Sequence, residues 1–316
     1  MSYNVLAFGE VLWDLLPGGA VLGGAPFNFV YRIESLGNRG YMISRLGEDE
    51  LGRKAVGVIR RLGMDTSHLQ WDDVRPTGTV EVSFDERRNP EFTIIQNVAY
   101  DYIEATEAAL EAAAAADCLC FGTLIQRNEV SRRTLGRLLE TFGGRFAILD
   151  INLRPECYTE ESIRLSVERA DILKLNDGEA RTLAELYNLD GQSLTGVVRG
   201  LFKRSSLGLI VVTLGERGAL AADRDGELIY HPAFAVDLVD PLGSGDAFTA
   251  GFVDALLREE SLSAACRYGN ALGAMVARQE GATQPIDLKE VEPFIEAASP
   301  GPLDESLKDY LVEGTG

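Results

Sequence analysis

A chain of 316 residues with 46% hydrophobic and 25% charged side chains has ample material for a soluble core. Its formal net charge of −19 repels polyanions, which excludes nucleic acid and anionic membranes as partners but leaves room for a small phosphate ligand arriving with a metal ion. No apolar run approaches the roughly 20 residues of a membrane span. The first residues lack a basic stretch and carry Glu10 and Asp14 among apolar neighbours, so they read as an opening strand and not a signal peptide.

In chain order, short apolar segments at 4–11, 41–46, 118–123, 146–152, 171–176 and 209–215 read as buried strands. Helical patterns lie at 26–37, 50–63, 105–117, 128–143 and 177–189. Strand–helix alternation predicts a mostly parallel sheet covered on both faces. The alternation breaks at 77–96, where two runs of alternating polarity joined by 86–90 read as a hairpin outside the main sheet, with residues near 12–22 joining it. A second hairpin, 218–232, turns at Arg224, Asp225 and Gly226. Helical patterns follow at 244–258, 261–279 and 286–298, and the tail from Ser299 is polar with a short apolar stripe. No linker, repeat or low-complexity block interrupts this, so 1–316 reads as one domain with a small β-sheet lid from segments 11–23 and 76–101.

Cys118, Cys120, Cys157 and Cys266 form no CxxC pair and read as buried reduced thiols, which suits the cytoplasm. With only His68 and His231, a multi-histidine zinc site or a Ser-His-Asp triad has little to draw on, and acid–base work falls to carboxylates.

Two phosphate motifs are decoys or missing. GEDELGRK (47–54) imitates a P-loop but ends Gly-Arg-Lys, with no hydroxyl placed for magnesium, and no GxGxxG follows a strand. DPLGSGDAF (240–248) is different. It opens a helix, and Gly243 and Gly245 let the amides of Gly243, Ser244, Gly245 and Asp246 converge on one anion at the positive helix end. Two readings of Asp246 stand. It complements the helix dipole, or it takes the proton of an alcohol attacking a phosphoryl group held on those amides.

Other polar residues gather where strands end. Asp14 follows the first strand, and Gly23-Gly24 precedes a helix with Asn28 one turn in, an inventory suited to a polyol. Asp150, Asn152 and Arg154 alternate at one strand end and should share a face. Asn176 and Glu179 end the next strand, and Thr213, Gly215 and Gly218 the one after. Ends of parallel strands are where α/β sheets bind ligands.

Together these motifs resemble the ribokinase-like sugar kinases of the PfkB family, and within it the fructokinase-like branch. GGAPFN matches the N-terminal GGxxxN signature and PLGSGD the C-terminal D-T-x-G-A/S-G-D signature, with Pro241 in place of the usual Thr. The resemblance implies a three-layer αβα, Rossmann-like fold and an ATP-dependent sugar kinase. Asp246 is then the catalytic base, with Gly243, Ser244 and Gly245 in the anion hole. Asp14, Gly24, Asn28 and Arg154 hold the sugar. Asn176, Thr213, Gly215, Gly218 and Asn270 belong to the nucleotide side. Glu179 organises Mg2+ through water, and Asp240 and Gly281 hold a monovalent cation, K+. D-fructose is the implied substrate. Ribose, 2-keto-3-deoxygluconate or a nucleoside are alternatives, as is a catalytically silent sugar-binding protein, which the intact Asp246 and glycines disfavour. The lid's exposed edges imply a homodimer joined through it.

Overall fold

The structure, a computed structural model, describes residues 2–16, 18–84 and 90–312. Residue 17, most of the hairpin joint predicted at 86–90 and the end of the predicted tail lie outside them. The strands are β1 (Asn4–Phe8), β2 (Leu12–Leu16), β3 (Gly19–Gly23), β4 (Arg39–Gly47), β5 (Leu69–Asp72), β6 (Gly78–Phe84), β7 (Pro90–Ile94), β8 (Cys118–Phe121), β9 (Phe146–Asp150), β10 (Ile172–Asn176), β11 (Leu209–Thr213), β12 (Ala219–Asp223) and β13 (Leu228–His231). The helices are α1 (Ala25–Ser35), α2 (Glu50–Arg61), α3 (Glu107–Ala115), α4 (Glu129–Thr141), α5 (Glu160–Arg169), α6 (Asp177–Leu186), α7 (Leu194–Arg204), α8 (Ser244–Leu257), α9 (Leu262–Ala277) and α10 (Val291–Ala297).

Nine strands form the main sheet in the order β13-β12-β11-β10-β9-β8-β1-β4-β5. Neighbours from β11 to β5 run parallel, while β12 and β13 form the antiparallel hairpin at one edge. The strands are apolar on both sides because helices cover both. In β1, Leu6 and Phe8 join the core against α3–α7, and Val5 and Ala7 join the core against α1, α2, α8 and α9. The same two-residue period splits Leu119 and Phe121 of β8 from Cys118 and Cys120. All four cysteines are free and buried.

The second sheet has the order β3-β2-β6-β7. β2 pairs antiparallel with β3 and parallel with β6, so two local hairpins are stitched together by one long-range pairing. β2 follows β1 after three residues, and β3 runs directly into α1. Residues 12–23 thus supply half of this sheet and also the approach to the site.

Two expectations need correction. The strand predicted at 146–152 ends at Asp150, and Asn152 takes the left-handed φ of 39°, so Asp150, Asn152 and Arg154 do not continue one alternating face. The segment predicted as a strand at 4–11 stops at Phe8, before Gly9. β5, α5 and α7 carried too little pattern to be read, being short or, like EESIRLSVER, rich in polar residues. The P-loop decoy is a helix start: Asp49 caps α2 by accepting from the Gly52 amide at 2.7 Å, and also accepts from the Thr77 amide at 2.7 Å.

Candidate active site

α8 begins at the mouth of the sheet. Its N-cap, Gly243, has φ 76°, and a side chain there would place Cβ 2.3 Å from the Ala282 Cβ. Glycine is therefore required twice over, by conformation and by packing. No side chain caps this helix start, and Asp246 lies in its first turn. The helix start carries main-chain amides with no side-chain cap, that of Ser244 donating to the Pro241 carbonyl at 3.2 Å, and the Asp246 carboxylate lies beside them.

Asp246 keeps a partly exposed face, and the rest of it is enclosed. Its Oδ2 accepts from Asn28 Nδ2 at 2.8 Å. Asn28, buried in α1, leaves its Oδ1 without a partner. A buried amide oxygen beside a carboxylate is suited to receive a ligand hydroxyl. Burial pushes the Asp246 carboxyl up to about 6, and Asp150 adds to that. The Asn28 donor, Lys174 and Arg154 oppose it. A base poised near neutrality follows.

Under Asp246 lies a buried network missing from the sequence expectations. Lys174, on β10, reaches Asp150 at the end of β9, Nζ to Oδ1 3.1 Å. The other Asp150 oxygen accepts from Thr249 Oγ1 at 2.9 Å, one turn beyond Asp246 on α8. A Cβ on Gly245 would stand 3.4 Å from Lys174 Nζ, so the ammonium lies just behind the amide turn. Asp150, Glu179 and Asp246 all hold the Lys174 ammonium in its charged form against the cost of burial. A lysine inside the apolar run DILKLN was the available signal.

Arg154 is exposed and draws three carboxyls to one region, Glu10, Asp14 and Asp246. Burial raises all three, Glu10 to about 7, and Arg154 counters it. Asp14 sits on β2 with its Oδ2 close to Gly23, where a Cβ would be 2.9 Å away. Gly24 has φ 115°, and a Cβ there would meet the Glu10 carbonyl oxygen at 2.5 Å. The glycine pair brings the head of α1 onto Glu10 and Asp14. Thus Asp14, Gly24, Asn28, Arg154 and Asp246 do come together, and Glu10 joins them unpredicted.

The nucleotide-side residues are more dispersed in their local duties. Asn176 and Glu179 form a capping box on α6: Asn176 Oδ1 accepts from the Glu179 amide at 2.9 Å and Glu179 Oε2 from the Asn176 amide at 2.8 Å. Glu179 Oε1 also accepts from the Leu153 amide at 2.8 Å, which ties the first turn of α6 to the loop carrying Arg154. Thr213 ends β11 and is partly exposed. Gly215 faces open space with φ 61°. At Gly218, φ 97°, a Cβ would lie 2.0 Å from the His231 carbonyl oxygen, so this glycine serves packing. Asn270 is buried and spends its Nδ2 on the carbonyls of His231 and Pro232, at 3.2 Å each.

Two metal expectations meet different geometry. Glu179 retains lone pairs for a water-mediated magnesium, and no group of three or more His, Cys, Asp or Glu among the described residues could hold a metal alone. Asp240 and Gly281 are bound to each other. Asp240 accepts from the amides of Leu242 and Gly281, each at 2.9 Å, and the nearby Ala277 carbonyl accepts from Val239 and Asp240 at 2.8 and 3.2 Å. Each Asp240 carboxylate oxygen thus already holds one backbone N–H, which ties Gly281 to the chain ahead of the amide turn.

The doubly covered parallel sheet, the small second sheet and the carboxylate at the head of a glycine-opened helix agree with the class that comparison with known proteins assigns to the chain, a carbohydrate kinase, a phosphotransferase with an alcohol acceptor. The chain belongs to the pfkB family: the description "pfkB family carbohydrate kinase" matches residues 19–289. Similar proteins include probable fructokinase-3 of Arabidopsis thaliana, 27% identical over 88% of this chain and 87% of its own length. They also include 2-dehydro-3-deoxygalactonokinase of Haloferax volcanii, 28% identical over 95% of this chain and 99% of its own. Among solved structures, a double mutant of Vibrio cholerae fructokinase with fructose, ADP and potassium superimposes with TM-score 0.79 at 25% identity, covering 93% of this chain and 98% of the other. No helix among the described residues is long and apolar enough to cross a membrane.

Proposed function

We propose that this sugar kinase uses MgATP to phosphorylate a small sugar, D-fructose before the alternatives. The Asn28–Asp246 hydrogen bond carries this reading, because it joins the polyol-suited head of α1 to the carboxylate beside the amide turn. The sugar is held by Asp14, Gly24, Asn28 and Arg154. Its hydroxyl proton passes to Asp246 as the hydroxyl oxygen bonds to the γ-phosphorus and the bond to the bridging oxygen of ADP breaks. The amides of Gly243, Ser244, Gly245 and Asp246 receive the charge on the transferred group. Lys174 and the α8 dipole supply fixed positive potential behind them. Asn176, Thr213, Gly215, Gly218 and Asn270 shape the nucleotide side, and Glu179 orients a water on magnesium. Magnesium supplies charge neutralisation on the phosphates when bound.

The small sheet is the lid of a single-domain kinase, and among the described residues its outer strands β3 and β7 keep unpaired edges. We assign a homodimer joined through those edges. The buried free thiols suit a reducing compartment, the cytoplasm.

The test is a coupled ADP-release assay with MgATP across fructose, ribose, glucose, 2-keto-3-deoxygluconate and adenosine. The reading expects kcat/KM for fructose to exceed the rest by tenfold or more. Preference for another acceptor would overturn the fructose assignment alone. Sugar binding with no turnover on any acceptor would overturn the enzyme.

A further inference from the structure

Arg32 is among the largest fully buried side chains of the protein, only 1% exposed. It projects from α1, one turn beyond Asn28, toward the loop that follows α9. Its Nη2 donates to the carbonyls of Gln284 at 3.0 Å and Ala282 at 3.3 Å. Its Nε and Nη1 are buried and find no partner. No carboxylate lies within ion-pair distance of it among the described residues, and its other close contact is the Tyr31 ring, 5.2 Å from the guanidinium carbon to the ring centroid. A buried guanidinium held only by neutral carbonyls is expensive, and burial lowers its proton affinity. Something must use that charge.

The loop it grips is the one packed on the amide turn. Ala282 is the residue a Gly243 side chain would strike, and the Gly281 amide donates to Asp240, just ahead of that turn. Arg32, Ala282 and Gly243 therefore form one packed line from α1 to the head of α8. A monovalent cation bound here would do two things, gather loop carbonyls and place positive charge behind the anion turn. Arg32 already gathers the Ala282 and Gln284 carbonyls, and the Asp240 carboxylate is engaged by two backbone amides.

We infer that Arg32 is a positioning residue whose guanidinium occupies the role of a bound monovalent cation, clamping loop 281–284 onto Gly243 and making the anion turn independent of potassium. This rests on the kinase reading above and says how that same site is held together.

The decisive experiment uses the full chain and two readouts. The first is MgADP affinity by calorimetry, in potassium chloride and in tetramethylammonium chloride at equal ionic strength. Wild type is expected to give the same Kd within twofold. Arg32→Met is expected to bind MgADP at least tenfold more weakly in tetramethylammonium, and to recover at least threefold in potassium. A merely structural arginine would not create a potassium response. The second readout is amide hydrogen exchange in the ligand-free protein. Exchange across 281–284 should be unaffected by potassium in wild type and at least tenfold faster in Arg32→Met, with α4 unchanged.

Potassium tightening wild-type MgADP binding fivefold or more, or slowing wild-type exchange at 281–284, overturns the inference. So does Arg32→Met behaving as wild type in both readouts. If Arg32→Met does not fold, Arg32→Lys and the wild-type salt comparison decide. If wild type binds no MgADP in either salt, the kinase reading falls, and the exchange experiment still decides the role of Arg32.

Discussion

Asn28 and Asp246 stand 218 positions apart in the chain, and one donates to the other at 2.8 Å. The bond ties the heads of α1 and α8 together and sets the charge of the proposed base. Removing it with Asn28→Ala should raise the Asp246 proton affinity, because the Asn28 donor lowers it. The expected outcome is an acid limb of kcat/KM moved to higher pH, with a loss of roughly 10–100-fold at pH 7. A pH–rate profile that keeps its wild-type limb would remove Asn28 from this role.

With Asp246 pushed up to about 6, turnover requires it deprotonated, so kcat/KM should fall below about pH 6. Asp246→Asn should lower kcat by roughly 10²–10⁴ while sugar affinity changes little. Stability gives an independent check. A carboxyl raised from 3.8 to about 6 means the folded state binds more protons between those values. Stability then falls as pH rises through that window, by up to about 3 kcal/mol above it. Asp246→Asn is therefore expected to melt higher than wild type at pH 8 and to lose that advantage at pH 4, which calorimetry can measure.

Lys174→Met strands Asp150 as a buried charge beside Asp246. The expected cost is about 3 kcal/mol of unfolding free energy together with a marked fall in kcat. Lys174→Met combined with Asp150→Asn removes both charges and should recover most of the stability in a denaturant titration. Equal destabilisation in single and double variants would show that packing, not charge, is at stake.

Gly243→Ala meets two obstacles, a φ of 76° and a Cβ 2.3 Å from Ala282. The amide turn must shift to accommodate it. Steady-state kinetics should show kcat falling at least tenfold, because the turn is proposed to act on the transferred group rather than on the sugar. A kcat within twofold of wild type would place the anion elsewhere.

Much of this was legible before any coordinates. The alternation of short apolar strands with helical patterns announced the parallel sheet, and the glycines at the starts of α1 and α8 pointed to where the site is proposed. What escaped notice did so for physical reasons. Lys174 and Arg32 each interrupt an apolar run, and pattern alone does not say what a buried cation faces. Glu10 is visible as a charge among apolar residues, yet its closeness to Arg154 exists only once the loop after β9 is folded. Asn152 looked like the next step of a strand because spacing carries no sign of φ. The capping box of Asn176 and Glu179 shows the reverse case, a motif read for its chemistry that also has a plain structural duty.

The stitching of the small sheet has a consequence for how the molecule assembles. Each of its two hairpins closes over short sequence distances, but Leu12 must find Gly78 across β3, α1, β4, α2 and β5. Closing that distance costs chain entropy which only the finished parallel sheet offsets. The pairing of β2 with β6 is therefore expected to be a late folding event. In pulsed hydrogen exchange during refolding, the amides of that pairing should gain protection after those joining β1 to β4 and β8. The proposed lid would then be the last part of the protein to acquire its shape, and a chain caught before that step would have the proposed base in place with no roof over it.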